Sequence, residues 1–371
     1  MINNHILGTK ILITIPDLNW TGGGGVTEIY RSLALNTNCN FSYFVVRPEI
    51  IKFRLLQLLK MYISFSKVVK DYDIVHLNPS LNLRSIVRDG ILILISKYYA
   101  KKTIVYIHGW EDKFERLVSK NYIIGKIFRF TFIKVDAYIL LGQIFKNKID
   151  KLLPKSNALF YLMPTIADDT YLKEIDIASY RANSYLTSSS FTLLFLSRLV
   201  PDKGLEIVLQ TQHLLEKNTK IKFNTIIAGD GVLKGWAEKQ ANEYGIRNIQ
   251  FVGFVKDIKK HEILLQADAL FFPSCYFEGL PCSILESMLY GLPIITRNVG
   301  SISEWIKDKE NGIINDSISP KYFADAIIEL VKSKENLIRI SKLNNDIAMN
   351  NFTKEIIKER FLNIYQNVIT S

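Results

Sequence analysis

Residues 267–300, ADALFFPSCYFEGLPCSILESMLYGLPIITRNVG, decide the fold. The stretch opens on a short apolar run, Ala269-Leu270-Phe271-Phe272, closed by Pro273 and Ser274 as a buried strand is closed. Glu278-Gly279-Leu280-Pro281 then leads into a helical pattern with apolar residues at Ile284, Leu285, Met288 and Leu289. Pro281 suits the first helical position, Gly291 the position past the end, and Pro293 the stop beyond it. A second apolar run, Leu292 to Thr296, follows. The spacing predicts a strand–loop–helix–strand unit of a parallel sheet.

The start of that helix leaves the N–H groups of Leu280, Cys282 and Ser283 without intrahelical partners and carries the positive end of the dipole. A phosphate suits such a place, and Gly279 lets it approach the backbone. With Ile284 at zero, Glu286 falls at about 200° on the wheel, at the edge of the apolar arc. Its side chain leans back toward the helix start, so Glu278 and Glu286 can converge on one ligand there. Carboxylates accept from sugar hydroxyls while the amides between them take a phosphate. Two glutamates by themselves read more readily as solvated charges near a helix start, so the rest of the chain has to decide.

At 371 residues the chain exceeds one ordinary core, and two domains are expected. Its composition is globular, with 48% hydrophobic and 22% charged residues. Cys39, Cys275 and Cys282 are odd in number and widely spaced, which fits a reducing cytoplasm rather than a disulfide framework or a zinc cluster. The N-terminus lacks a charged n-region, and Ile11 to Ile15 is too short for the apolar core of a signal peptide. No apolar run approaches a membrane span.

The net charge of +11 is unevenly placed: residues 1–170 hold 23 basic and 13 acidic side chains, the remainder 24 and 23. Basic residues mix with apolar and aromatic ones from Ile51 to Lys60 and from Lys126 to Lys134. Such segments can rest on anionic lipid. Nucleic acid would feel the same charge, but no RNP-like, helix-turn-helix or zinc-finger pattern is present, so it is not the expected partner.

In chain order, strands are expected at Lys10–Pro16, Phe41–Val46, Asp73–Leu77, Thr103–Ile107, Ala137–Leu141 and Ala158–Leu162. Gly22 to Gly25 lies between a strand and a helix. As a dinucleotide fingerprint its third glycine would fall at Thr27, and no acidic residue ends a second strand about 20 residues on. A glycine loop closing over a ligand is the functional reading and a tight turn the plain one. Asp71-Tyr72-Asp73 spells a D-x-D, but it precedes a strand, whereas parallel-sheet sites lie at carboxyl ends. It reads as a helix-to-strand turn, and no metal is expected. His108 follows a strand at its carboxyl end, where it could meet a ligand. From Ala167 the periodicity fades toward Thr187-Ser188-Ser189-Ser190, read as a linker.

The second half restarts with the strand Phe191–Leu196. Arg198 and Lys203, five apart in a loop entering a helix, suit a diphosphate. Strands at Thr225–Ala228 and Ile249–Phe251 run into Gly229-Asp230-Gly231 and Gly253-Phe254-Val255, and Gly300 to Glu304 follows the opening stretch. Helices are expected at Ile258–Gln266, Pro320–Lys332, Glu335–Ile347 and Lys354–Thr370.

Arg198/Lys203, Gly229–Gly231, Gly253-Phe254, Glu278-x7-Glu286 and Gly300–Glu304, in that order, resemble the nucleotide-sugar half of a retaining glycosyltransferase of family 4. The resemblance covers residues 190–315; over the first half it rests on Gly22–Gly25 and His108-Gly109. On the helix after the glutamate pair the family has small residues, where this chain has Ser287, Met288 and Tyr290. The resemblance implies an α/β GT-B fold, two Rossmann-like domains facing each other across a cleft. It divides the chain into an acceptor domain at 1–175, a linker at 176–190, a nucleotide-sugar domain at 191–345, and a C-terminal helix at 346–371 packing back on the first domain.

It also implies roles. Arg198 and Lys203 hold the donor diphosphate, Glu286 accepts from the ribose hydroxyls, and Glu278 with Gly279, Leu280, Pro281 and Cys282 meets the transferred sugar. Gly253, Phe254 and Val255 edge the base, Gly229 and Gly231 line the donor site, and His108, Gly24 and Gly25 belong to the acceptor side. The implied enzyme is retaining and needs no metal or cofactor. It moves a sugar from a UDP- or GDP-sugar to a glycan or lipid-linked glycan of surface polysaccharide, in the cytoplasm at the inner membrane face. An inverting enzyme of the same fold, a nucleotide-sugar epimerase and a non-catalytic sugar-nucleotide-binding protein are the alternatives. In the last the clamp would be eroded, whereas Arg198, Lys203, Glu278 and Glu286 are all present.

Overall fold

The computed structural model describes residues 8–16, 29–30, 33, 40–46, 54–79, 81–172, 175–217, 221–277 and 279–371. The chain forms two units: Met1–Ile166 with Lys354–Ser371, and Ala167–Thr353.

The first unit is built on β1 (Lys10–Ile15), β2 (Asn40–Val45), β3 (Ile74–Leu77), β4 (Lys102–Ile107), β5 (Ala137–Leu140) and β6 (Leu159–Leu162), in the spatial order β2-β1-β3-β4-β5-β6. The second holds β7 (Ser190–Leu196), β8 (Lys222–Ala228), β9 (Ile249–Gly253), β10 (Ala269–Phe272), β11 (Ile294–Thr296) and β12 (Gly312–Ile314), in the order β12-β11-β10-β7-β8-β9. Every pairing in both sheets is parallel. Helices fill the crossovers and cover the sheets, so an inner strand must be apolar on both sides. That is why β3, β5 and β10 are buried at every position, while the edge strand β6 is not. The second sheet has the doubly wound dinucleotide-binding order, with its direction reversing between β10 and β7; in the first sheet the reversal lies between β1 and β3.

The stretch that opened the sequence reading folds as β10, a loop, the helix Cys282–Leu289 and β11. Pro281 sits just outside the helix as its flanking residue rather than at its first turn. The Asp71–Asp73 turn precedes β3, where the Asp73 carboxylate accepts from the Lys10 N–H at 2.8 Å and ties the starts of β1 and β3 together.

Two further features depart from expectation. β12 is three residues long, below what an apolar run reveals. Within the expected linker, residues 177–187 are a helix, started by the Asp176 carboxylate accepting from Ser179 N–H at 3.2 Å. Its anchor is a cation rather than an apolar stripe, which hid it from periodicity. Arg181 is fully buried and donates to the carbonyls of Tyr290 (2.8 Å), Leu264 (2.6 Å), Leu265 (3.1 Å) and Ala267 (2.5 Å). It thereby satisfies the open carbonyl ends of two helices at once, Asp257–Gln266 and Cys282–Leu289. Arg181→Met keeps the bulk and strands those carbonyls. A loss of about 3 kcal/mol in the urea unfolding of the second unit is expected, and an unchanged midpoint would show that water replaces the guanidinium.

Candidate functional site

In a doubly wound sheet, the two loops leaving the strands on either side of the reversal point diverge and leave a crevice at the carboxyl ends. In the second unit those are the loops after β7 and β10, the ones carrying Arg198/Lys203 and Glu278–Cys282. Backbone hydrogen bonds join them. The Asp202 carbonyl accepts from Cys275 N–H at 2.8 Å and Tyr276 N–H at 3.1 Å, and the Ser274 hydroxyl donates to it at 3.3 Å. Gly204, at φ +79°, makes the approach possible, because a Cβ there would lie 2.1 Å from the Pro273 carbonyl oxygen. Lys203 is consequently 8% exposed, with its ammonium 5.7 Å from the Phe272 ring centre and 5.2 Å from that of Tyr276. Arg198 stays exposed on the same loop.

The glycines after β8 serve this loop as well. A Cβ on Gly229 would sit 1.8 Å from the Ser197 carbonyl, and the Leu199 N–H donates to Asp230 O at 2.9 Å. The close backbone approach that Gly229 and Gly231 permit is therefore to the cation-bearing loop. Gly229 N–H in turn donates to Gly253 O at 2.7 Å, placing the end of β9 alongside; there Phe254 is 71% exposed and Val255 buried. After β11, Ser301 N–H donates to the Gly279 carbonyl at 3.2 Å. Thus Arg198, Lys203, Gly229, Gly231, Gly253, Phe254, Gly279 and Gly300 lie on adjoining strand ends. Glu278 itself lies outside the described residues.

The helix Cys282–Leu289 has no side chain capping its start, and Leu280 is buried before it while Pro281 and Cys282 are half-buried. Glu286 departs from the wheel. Instead of lying at the edge of an apolar arc it is 8% exposed, within a helix buried all round from Ile284 to Leu289. A partner that the sequence reading missed makes this tolerable: Lys260, from the helix Asp257–Gln266, reaches Glu286 Oε1 at 2.7 Å. The Asp168 N–H adds a backbone hydrogen bond. Burial pushes the Glu286 carboxyl above its ordinary value, and Lys260 pulls it partly back. For Lys260, burial alone would lower the ammonium, but the charge and hydrogen bond of Glu286 outweigh it and hold it above its usual range. No charge spacing in the sequence announces this pair, which joins two helices 26 residues apart.

In the first unit, His108 follows β4 and its Nε2 lies 2.7 Å from Asn78 Oδ1, just past β3. Its ring lies 3.8 Å centre to centre from Tyr106, and burial lowers its pKa to about 3, so it is neutral. Gly24 and Gly25 lie outside the described residues.

The strand ends therefore group Arg198, Lys203 and the glycine turns in one unit and His108 in the other. Residues 176–347 match the glycosyl transferases group 1 family model. That match takes in 172 of the 371 residues. An uncharacterized glycosyltransferase of Methanocaldococcus jannaschii is 26% identical over 322 residues, 82% of this chain and 75% of that one. Spore coat protein SA of Bacillus subtilis is 31% identical over 182 residues, 47% of this chain and 48% of that protein, so the match spans about half its length. Among solved structures, HepE of Anabaena in complex with UDP aligns with a TM-score of 0.74 at 16% identity, covering 97% of this chain and 100% of that one. That likeness shows the fold, the GT-B fold of glycosyltransferases.

Within the group 1 domain the Lys260–Glu286 pair has a measurable signature. Lys260→Met leaves a buried carboxylate that holds its proton more tightly folded than unfolded. Such a group is stabilising when protonated, and that contribution is lost as pH rises through its folded pKa. The deficit against wild type is therefore smallest near the ordinary glutamate pKa and grows above it, reaching about 2 kcal/mol at mildly alkaline pH. Thermal scans across pH that show a constant deficit would contradict this.

Proposed function

We propose that the chain is a retaining, metal-independent hexosyltransferase moving a sugar from a UDP- or GDP-sugar to a glycan or lipid-linked glycan acceptor. The observation that supports it most is the lock between the two loops at Asp202, which holds Lys203 against the loop leading into the helix Cys282–Leu289. Arg198 and Lys203 take the diphosphate, Glu286 the ribose hydroxyls, Glu278 and the amides after it the sugar. Gly253, Phe254 and Val255 edge the base, and Gly229 and Gly231 complete the wall. The solved relative with UDP supports a uridine donor. His108, Gly24 and Gly25 serve the acceptor side.

As the bond between the anomeric carbon and the phosphate oxygen breaks, positive charge grows on the sugar and negative charge on the diphosphate. Fixed cations and a helix start stabilise the second more in the transition state than in the ground state. They occupy the role a metal would have, and the acceptor hydroxyl attacks the face that the diphosphate leaves.

A panel of UDP- and GDP-sugars, scored by thermal shift and by transfer to glycan acceptors, identifies the donor. With it, Lys203→Ala and Glu286→Ala each lower turnover by about a hundredfold or more. Wild-type turnover in either, an inverted product in proton NMR, or dependence on a divalent ion would remove the corresponding part of the proposal.

The first unit supports a lipid-linked acceptor at the inner membrane face. On the helix Tyr122–Phe132, Ile123 (69%), Ile127 (41%) and Phe130 (60%) are exposed at i, i+4 and i+7, among exposed Lys126, Arg129 and Lys134. On the helix Arg54–Val68, Leu56, Leu59 and Ile63 are exposed at i, i+3 and i+7 beside Lys60 and Lys67. Both helices pack against the helix Leu83–Tyr98 between them. Apolar faces rimmed by cations suit an anionic bilayer. Co-sedimentation with phosphatidylglycerol vesicles, falling with salt and lost in Ile123→Glu/Ile127→Glu, is the expected result. Equal binding to neutral vesicles would refute the electrostatic part.

A further inference from the structure

The first sheet reverses between β1 and β3, and a chain of hydrogen bonds crosses that point. It begins on the last helix, where Tyr365 Oη lies 2.8 Å from His76 Nδ1 on β3. His76 Nε2 lies 3.2 Å from Tyr30 Oη, Tyr30 Oη lies 2.9 Å from Asn78 Oδ1, and Asn78 Oδ1 lies 2.7 Å from His108 Nε2. His76 is fully buried, Tyr30 is 2% exposed, Asn78 is 7% exposed and Tyr365 is 1% exposed. Water does not reach such groups freely, so each donor has to find its acceptor inside the chain.

The direction of every proton follows from one end. Asn78 Nδ2 lies 2.9 Å from the Thr14 carbonyl, which can only accept. The amide orientation is therefore fixed, because the flipped form would set oxygen against oxygen. Asn78 Oδ1 must then accept from both neighbours, which makes Tyr30 a donor toward it and puts the proton of His108 on Nε2. With its hydrogen spent on Asn78, the Tyr30 oxygen accepts from His76 Nε2–H. His76 Nδ1 is left bare and accepts from the Tyr365 hydroxyl. Five side chains thus have one consistent arrangement of protons. One atom is left over: His108 Nδ1, buried and without a hydrogen-bond partner among the described residues.

We infer that Asn78, held by Thr14, Tyr30, His76 and Tyr365, is a positioning residue that fixes His108 as the Nε2–H tautomer and leaves Nδ1 as an acceptor for a hydroxyl of the acceptor substrate. This rests on reading His108 as a substrate-side residue and specifies what it does there: it takes a hydrogen bond and does not give one. The titratable groups packed around His108 are His76, Tyr106 and, through Asn78, Tyr30. Burial keeps both histidines neutral and the Tyr30 hydroxyl protonated, as the proton arrangement requires.

Ring-nitrogen NMR of histidine-labelled full-length protein, with the His108 signal assigned from its loss in His108→Gln, tests the tautomer without any substrate. A protonated Nε2 and a bare Nδ1 near neutral pH are expected; a protonated Nδ1 overturns the inference. With the donor and acceptor identified, Asn78→Ala lowers kcat about 10- to 100-fold and leaves the donor KM nearly unchanged. It adds nothing in the His108→Gln background; losses that multiply would mean Asn78 acts independently of His108 and overturn the inference. Asn78→Asp keeps the shape and places a carboxylate against the ring, which favours the imidazolium and occupies Nδ1 with a proton. The acid limb of its pH–kcat profile moves toward neutral; an unmoved limb counts against positioning. Full turnover in His108→Gln would sink the substrate-side reading of His108, while the NMR result would still decide the tautomer.

Discussion

Two backbone N–H groups, those of Cys275 and Tyr276, converge on the single carbonyl of Asp202, and the candidate donor site depends on that convergence. A parallel sheet brings the loops after β7 and β10 near each other at the point where strand order reverses, but proximity alone fixes nothing. The shared carbonyl turns neighbours into one surface. It also explains why a glycine occupies position 204: the loop is too close to Pro273 for any side chain, and the φ of +79° disfavours one as well. With the loops locked, Lys203 loses its freedom to wander, and a charge held in place before a ligand arrives acts on it with little reorganisation.

Burying charge is costly, and this chain does it repeatedly in the second unit. Three cations of this unit, Arg181 and Lys203 buried and Lys260 half-buried, are held differently. Arg181 is surrounded by four carbonyls, so it gives up water for a full set of acceptors and joins helix ends that would otherwise be open. Lys260 faces a carboxylate at 2.7 Å. Lys203 lies with its ammonium against the rings of Phe272 and Tyr276, whose faces attract a cation.

Strands were legible where burial on both faces demanded continuous apolar runs: Ala269–Phe272 could be read to the residue. The ordered set of loop residues was legible because each follows such a run. What stayed hidden has a common cause, that its meaning lies in tertiary partners. The helix Ile177–Thr187 is organised by Arg181, which on a polar stretch looks like a surface charge. Glu286 looked like an edge residue because a wheel knows nothing of Lys260 on another helix. Asn78 belongs to no motif, and its environment exists only because parallel pairing sets β1, β3 and β4 side by side, with Thr14, Asn78 and His108 at their ends. The three-residue strand β12 carries too few residues to show a pattern.

Among the described residues the two reversal points differ in charge, and the difference runs against the net balance of the chain. Residues 1–170 hold 23 basic and 13 acidic side chains, yet the described residues at the end of the first sheet include Thr14, Asn78 and two neutral histidines. The remainder of the chain is almost balanced at 24 and 23, yet it sets Arg198 and Lys203 at the end of its sheet. Net charge therefore says little about where charge acts. In the first unit the surplus lies on exposed helix faces, screened by salt and suited to a broad anionic surface. In the second, Lys203 is screened far less because water is largely excluded from it. A site that must discharge a diphosphate needs the second kind of cation. A site that must accept one hydrogen bond from an uncharged hydroxyl is suited by neutral neighbours such as His76, Tyr30 and Asn78.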